Sequence, residues 1–283
     1  TLVTVPSSSI PGFRSLISST PSAKLAVLKL GRGSRAGFSS SAKISRTVGK
    51  PNFSSTKALA SSPLSAEDGC SRLSPHLAFG TVSLRTVHQI TELAMSNTPE
   101  RELAYALRGF AGRLRWHCHF MQKLEDEPRI EFGNFVRAYD GLREEFTESP
   151  EGRRRFDAWK EGLTGYPMVD ACIRCVKATG WLNFRMRAML ASFSAYHLWL
   201  HWREPAVWLG GHFLDFEAGI HFSQFQMQSA TSGINTLRIY SPAKQALEQD
   251  PDGVFIRHWV PELREVPVSW LSRPEQIPAE IQS

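Results

Sequence analysis

Apolar residues recur at three- and four-residue intervals from residue 67 onward, which is the spacing of one buried face of an α-helix. The clearest run extends from Arg101 to Glu127, is rich in helix-forming residues and is followed by Pro128 as a stop. Its apolar positions are Leu103, Leu107, Phe110, Leu114 and Met121. The spacing predicts one long amphipathic helix over this segment.

Two later runs also predict helices. The first extends from Asp170 to Thr179 and should end at Gly180, and the second extends from Arg185 to Trp202 and should end before Pro205. Short strands do not alternate with helices anywhere in the pattern, so the sequence gives no sign of a parallel sheet. We therefore predict a mainly α fold.

The first 66 residues have a different composition. They hold nine of the 33 Lys and Arg residues and none of the 27 Asp and Glu residues, and they are rich in serine. This pattern is typical of an organelle transit peptide, chloroplast rather than mitochondrial because serine dominates. A basic extension that follows a larger scaffold would have the same composition. We divide the chain into a basic Ser-rich extension, 1–66, and a helical domain, 67–283.

The charge of the chain belongs to the extension. The formal charge is +6 overall, but residues 67–283 hold 24 basic and 27 acidic residues. A domain that tracks nucleic acid needs a basic groove, so DNA binding has no support from net charge and depends on local patches. Two candidate patches are Arg108, Arg113 and Arg115, and Arg153 to Arg155. A solvated helix face is the more common explanation of such short runs.

Composition limits other chemistry as well. No apolar stretch is long enough for a membrane span, so we predict no transmembrane segment. Cys172 and Cys175 form a C-x-x-C pattern inside a predicted helix, while Cys70 and Cys118 show no matching pair spacing. We therefore predict reduced thiols in an intracellular compartment and no metal site.

Five segments carry motifs in a fixed order. They are Cys70–Gly80 (CSRLSPHLAFG), Trp159–Asp170 (WKEGLTGYPMVD), Thr179–Arg187 (TGWLNFRMR), Arg238–Pro242 (RIYSP) and Phe255–Leu263 (FIRHWVPEL). Ser71 and Ser74 precede a helix start, where backbone N–H groups favour a pyrophosphate. Together the segments resemble the photolyase and cryptochrome family, and Trp116–Pro128 is similar to bacterial cryptochrome-like members.

The resemblance implies an all-helical domain that binds FAD, with Ser71, Leu73 and Ser74 at the phosphates. It also implies that Arg187 and Asp215 form an ion pair beside the isoalloxazine ring, with Glu217 at the flavin imide and His221 near its N5. Trp116 and His117 complete the predicted set. From the residues alone, Arg187 and Asp215 could be an ordinary buried ion pair, and His221 an ordinary core histidine.

The chain departs from the family pattern at positions that bear on activity. Members of the family reduce flavin by electron transfer through three tryptophans, and Trp159 and Trp202 align with the outer and middle ones. Phe225 takes the position next to the flavin. Trp199 and Tyr196 are possible alternative routes for electron transfer. Where repair enzymes contact a pyrimidine dimer, this chain has Arg113, Phe184 and Met227, and only Trp116 remains aromatic.

Three functions follow from these observations. The first is a blue-light-responsive or redox flavoprotein without efficient dimer repair. The second is a structural subunit of a large chloroplast assembly, bound to its protein partners through residues 1–66. The third is a light-driven DNA photolyase, which would make the chain a deoxyribodipyrimidine lyase. Residues 1–66 have no strand and helix alternation, so we do not expect them to form the family's α/β antenna domain.

Overall fold

The computed structural model describes residues 61–233 and 237–276, and the regular structure within these ranges is helical without strands. The helices are α1 Ala66–Gly69, α2 Ser74–Ala78, α3 Leu84–Ser96, α4 Arg101–Asp126, α5 Glu144–Glu148, α6 Pro150–Glu161, α7 Pro167–Thr179, α8 Phe184–Ser192, α9 Arg203–Gly210, α10 Ala218–Gln228, α11 Pro242–Gln249, α12 Val254–Trp259 and α13 Val268–Leu271. Short 3₁₀ turns occupy Pro128–Glu131, Arg137–Tyr139, Pro261–Leu263 and Pro274–Gln276. None of the described helices has the length and apolar character needed to cross a bilayer.

The long helix α4 matches its prediction and forms one wall of the site. It extends from Arg101 to Asp126 and packs against α3 on one side and α10 on the other. Leu114 and Phe120 are buried, whereas Leu103 near its N-terminus is exposed although the apolar spacing includes it. The C-terminal half of the helix therefore supplies most of the packing.

Helix α7 lies at the centre of the core. It begins at Pro167, three residues before the predicted start, because proline is well suited to the first turn of a helix. It packs against α6, α8, α11 and α12. The predicted stop at Gly180 is confirmed, since Gly180 has φ +68° and a Cβ there would lie 2.5 Å from Leu214 Cγ.

The predicted helix from Arg185 to Trp202 is wrong in its second half. Helix α8 ends at Ser192 and continues as one π turn over Phe193–His197, after which Trp199 adopts a left-handed φ of +59°. A left-handed residue cannot continue a right-handed helix. Pro205 then lies in the first turn of α9, where its missing N–H costs no helical hydrogen bond.

Packing of the described chain extends to its first residues. Ser62 Oγ donates to the Gln249 carbonyl oxygen at 2.6 Å, and Asn183 Nδ2 donates to the Ser61 carbonyl oxygen at 2.7 Å. Ala66 is fully buried. These residues contact the helical domain although the proposed boundary assigns them to the extension. Most of the extension, residues 1–60, lies outside the described residues, so the boundary stays a prediction.

Candidate functional site

An ion pair joins two elements at the site. Arg187 on α8 meets Asp215, in the loop between α9 and α10, through two parallel contacts of 2.9 Å, from Nη1 to Oδ1 and from Nη2 to Oδ2. Arg187 Nε also donates to the Leu182 carbonyl oxygen at 2.6 Å, and the guanidinium lies 4.0 Å above the Phe213 ring. The Asp215 side chain is only 4% exposed. A bidentate pair held in this way has a fixed orientation.

A cavity of about 100 Å³ opens beside this pair. Its wall combines aromatic rings with hydrogen-bonding groups, and it comes mainly from α8, α10 and the loop before α10. The lining residues are Phe184, Arg187, Ala188, Ala191, Phe213, Asp215, Phe216, Glu217, Ile220, His221, Gln224, Phe225 and Gln228. Apolar walls with a few convergent polar groups are typical of small-molecule sites.

Glu217 contacts a second wall of the site. Its carboxylate accepts a hydrogen bond from His117 Nε2 on α4 at 2.9 Å, and both side chains are mostly buried. His117 itself is not among the cavity-lining residues. The structure therefore brings the two predicted residues together but places only Glu217 at the cavity.

His221 lines the cavity as a neutral imidazole. Its Nε2 donates to the Ala206 carbonyl oxygen at 2.7 Å, and its ring contacts Phe213, Phe216 and Phe225. Loss of solvation lowers the pKa of His221 to about 4, with a further lowering from the Arg187 charge. At neutral pH the ring therefore carries a proton on Nε2 and leaves Nδ1 as an acceptor.

The electron-transfer candidates are only partly connected to the cavity. Phe225 lines it, whereas Trp202 is fully buried, contacts Phe222 with ring centroids 6.2 Å apart and donates from Nε1 to Asn134 Oδ1. Trp159 is also fully buried and packs against Trp208. An outer donor has to exchange electrons with solvent, so complete burial does not suit Trp159 for that role.

Tyr196 and Trp199, the alternative electron-transfer residues, both pack against the buried Arg143. The Arg143 guanidinium lies 5.2 Å from the Tyr196 ring and 4.7 Å from the Trp199 ring, and it donates to the Ser229 carbonyl oxygen. Trp199 is exposed. This cluster does not belong to the cavity wall.

The predicted phosphate-binding residues Ser71, Leu73 and Ser74 are not among the cavity-lining residues. Their loop is nevertheless tied to the site, because the Arg72 guanidinium lies 3.9 Å from the Trp181 ring. The residue before Trp181, Gly180, accepts a hydrogen bond from the backbone of Leu214, which precedes Asp215. Trp116 is exposed on α4 and does not line the cavity either.

Three of the lining residues that sequence reasoning missed share one face of α10. Ile220, Gln224 and Gln228 follow Glu217 at intervals of three and four and line the cavity together with Phe213 and Phe216. Helical spacing from Glu217 is a signal that could have found those on α10. Phe213 and Phe216 belong to the preceding loop, where no periodicity exists to identify them.

The two basic candidates differ in the structure. Arg153 bridges Glu148 and Glu204, and both Arg154 and Arg155 contact Glu151, so the run on α6 is compensated by acids. Arg108, Arg113 and Arg115 are exposed on α4 and form no ion pair with any side chain that the structure describes. Only the α4 group remains a basic surface.

The two cysteines of α7, Cys172 and Cys175, are buried thiols. Burial raises the pKa of Cys172 and raises that of Cys175 to about 11, so both remain protonated at neutral pH. Within residues 61–233 and 237–276, no three His, Cys, Asp or Glu side chains are grouped as a metal site would require.

Comparison with known proteins identifies the fold. Residues 110–283 match the family described as the FAD binding domain of DNA photolyase. The chain belongs to the photolyase and cryptochrome family. It is 35% identical to a Streptomyces griseus deoxyribodipyrimidine photo-lyase over 74% of this chain and 43% of that protein. It is 32% identical to cryptochrome-1 of Sinapis alba over 74% of this chain and 42% of that protein.

A solved structure supports the same assignment. The archaeal photolyase from Sulfolobus tokodaii, whose crystal structure holds two FAD molecules, is 29% identical to the chain, with a TM-score of 0.64. The match covers 82% of this chain and 52% of that one. The chain thus spans about half or less of the length of these relatives. The predicted helical FAD-binding class of the photolyase and cryptochrome family is confirmed.

The cavity fits the flavin of an FAD-binding domain. Phe213, Phe216 and Phe225 offer apolar surface for a flat ring, and the Arg187–Asp215 pair, Glu217 and His221 offer hydrogen bonds to its polar edge. The cavity contains both a charged donor and acceptors, as a heterocycle with carbonyl oxygens and N–H groups requires. The residues present therefore suit the cofactor of the family.

Proposed function

We propose that this domain holds FAD with its ring in the cavity and works as a light-responsive or redox flavoprotein without efficient repair of pyrimidine dimers. The observation that carries the proposal is the bidentate Arg187–Asp215 pair in an aromatic-lined cavity. FAD would supply blue-light absorption and electron transfer when bound. Arg187 would offer positive charge to the ring, and Asp215 would keep the guanidinium oriented.

The resemblance assigns the phosphates to the loop that contains Ser71, Leu73 and Ser74, and the link through Arg72, Trp181 and Gly180 supports this assignment. Within the cavity, Glu217 and the Nδ1 atom of His221 would accept hydrogen bonds from ring N–H groups, while the phenyl rings exclude water.

We further propose that photoreduction through the predicted tryptophan series is inefficient, and the position of Phe225 supports this. Its phenyl ring lines the cavity where the resemblance expects a tryptophan, and phenylalanine is harder to oxidise. We expect Phe225→Trp to speed flavin photoreduction in blue light when an external electron donor is present. The rate is measured as the loss of the oxidised-flavin absorption band. Phe132→Trp, at an exposed position that does not line the cavity, is the control. Equal photoreduction rates in all three proteins would contradict the role of Phe225.

FAD binding itself has a direct test. The purified full chain should show an oxidised-flavin absorption band after incubation with FAD and removal of the excess. A colourless protein that takes up no FAD would overturn the proposal.

A second candidate function, light-driven DNA repair, is favoured by one observation. Arg108, Arg113 and Arg115 are exposed on α4, next to the exposed Trp116, and pair with no acid among the residues that the structure describes. Arginines with aromatic rings suit single-stranded nucleic acid. Replacing these three arginines with Gln should weaken binding of a single-stranded oligonucleotide and flatten its salt dependence. The matched change at Arg153 to Arg155 should have little effect. Loss of dimers from irradiated DNA under blue light would support repair, and no loss with reduced flavin would exclude it.

The extension 1–66 supports a proposal about location. Its basic, acid-free and serine-rich composition favours chloroplast import, with mitochondrial import as the alternative. The same composition suits contact with protein partners in an organelle assembly, which would make the domain a structural subunit. A fluorescent fusion of residues 1–66 tests import, and co-purification of the full chain with an organelle complex tests the subunit hypothesis.

A further inference from the structure

One acidic side chain in the cavity wall has its partner outside the cavity. Glu217 lines the cavity, and its carboxylate oxygens both lie 2.9 Å from Nε2 of His117, which does not line it. A carboxylate only accepts hydrogen bonds, so Nε2 is the donor. His117 is therefore linked to the cavity wall through Glu217.

The main chain around Glu217 leaves its carboxylate available for this contact. Glu217 directly precedes α10, at the position where a side chain commonly accepts a hydrogen bond from the first turn. Its side chain makes no such bond. The carboxylate is turned toward α4 instead of toward its own helix.

Close packing of the two helices holds the pair together. Gly219 in the first turn of α10 lies so near α4 that a Cβ would stand 2.7 Å from the Phe120 carbonyl oxygen. His117 lies one helical turn before Met121, which also contacts Gly219. Close packing of the two backbones thus sets the distance between His117 and Glu217. The contact is not a chance encounter of two flexible surface side chains.

The contact between His117 and Glu217 affects the charge of the cavity wall. Arg187 and Asp215 compensate each other, whereas Glu217 contacts no Lys or Arg among the described residues. Arg113, one turn before His117 on α4, is exposed. A hydrogen bond from Nε2 withdraws part of the carboxylate charge from the cavity.

We propose that His117 is a positioning residue of the flavin site: it fixes the position of the Glu217 carboxylate in the cavity wall and weakens the negative charge that the carboxylate exerts on the cavity. The inference rests on the proposed function, because it takes FAD as the occupant. Reduction adds negative charge to a flavin. A Glu217 carboxylate whose negative charge is less compensated therefore makes reduction of the bound flavin less favourable.

A double-mutant cycle tests the proposal on the full chain. The variants are His117→Asn, His117→Gln, Glu217→Ala and the double variant H117N/E217A, each checked for folding by circular dichroism. The Gln amide nitrogen can replace Nε2, whereas the shorter Asn places its amide near Nδ1. His117→Phe replaces His117→Asn if the latter does not fold. FAD affinity and the midpoint potential of the bound flavin are measured for each protein.

We expect His117→Asn to raise the FAD dissociation constant about tenfold. This is the loss expected when the displaced Glu217 carboxylate no longer accepts its hydrogen bond from the flavin. The same variant should shift the potential to more negative values, and His117→Gln should restore both. In the Glu217→Ala background, which has no side-chain oxygen for His117 to contact, His117→Asn should change neither quantity. Equal effects in both backgrounds, or no rescue by His117→Gln, would overturn the role of His117 while FAD binding by the unaltered protein still stands. No FAD binding by the unaltered protein would overturn the proposed function itself, and this inference with it.

Discussion

At the scale of single residues, variants of the Arg187–Asp215 pair can distinguish its contribution to folding stability from its contribution to FAD binding. Asp215 is almost completely enclosed, so removing Arg187 leaves a buried charge without a partner. Breaking such a pair costs about 3–5 kcal/mol of unfolding free energy, whereas replacing both members with apolar residues is often neutral. Stability and FAD binding should therefore respond differently to the two kinds of change.

We expect Arg187→Met alone to lower the unfolding free energy by about 3 kcal/mol and to abolish FAD binding. The double variant Arg187→Met with Asp215→Leu should recover most of the stability but none of the FAD binding. Urea unfolding and FAD titration measure the two effects. A double variant that still binds FAD normally would show that the pair is only structural.

His221 predicts how stability changes with pH. Its folded-state pKa of about 4 lies below the ordinary value of about 6.5, so protonation favours the unfolded chain. The contribution of neutral His221 is complete above pH 6.5 and is lost as the pH falls toward 4. The difference between pH 7.5 and pH 5 should be about 2 kcal/mol. Urea unfolding at both values should show this component in the unaltered protein and not in His221→Gln, and an identical pH dependence in both would contradict the assignment.

At the scale of elements, the approach of α10 to α4 decides the geometry of one cavity wall. Gly219 permits that approach because it has no Cβ, and the same packing places Glu217 beside His117. The sequence pattern predicted α4 correctly but contained no information about the helix that packs against it.

Gly219→Ala should force α10 away from α4, because its Cβ would overlap the Phe120 carbonyl oxygen. We expect a loss of about 1–3 kcal/mol in urea unfolding, as is usual for overpacking. Gly112→Ala on α4 is the control, because no described atom beyond the neighbouring backbone of α4 lies within 4 Å of its added Cβ and alanine favours helix. It should be neutral or stabilising, and equal losses in both variants would contradict the close-packing argument.

At the scale of the whole molecule, the question is where the packed domain begins. Ser61, Ser62 and Ala66 contact the helical domain, although composition places the boundary at residue 67. Composition detects the change in charge, which occurs at Glu67, and does not detect backbone contacts made by small residues just before it.

Two truncations separate these boundaries. Deleting residues 1–60 should leave thermal stability and FAD binding close to those of the full chain, because the described contacts are retained. Deleting residues 1–66 also removes buried Ala66 and two hydrogen bonds to the domain, and it should lower the melting temperature measurably. Equal melting temperatures for both truncations would support the boundary at residue 67.

The sequence by itself determined the helical class, the extent of α4, the end of α7 at Gly180 and the family, because helix spacing, stop residues and ordered motifs are local properties of the chain. It also located the excess positive charge in residues 1–66. Arg187, Asp215, Glu217 and His221 were found through the resemblance and are brought together by the fold.

Only the tertiary structure decided which distant residues meet. Asp215 lies 28 positions from Arg187, and Glu217 lies 100 positions from His117, so their contacts depend on how helices and loops pack. The same is true of the π turn after Ser192, and of Glu204 beside Arg153 on a neighbouring helix. Spacing along the chain reports which face of a helix is buried, but the partner of that face is set by packing across the whole domain.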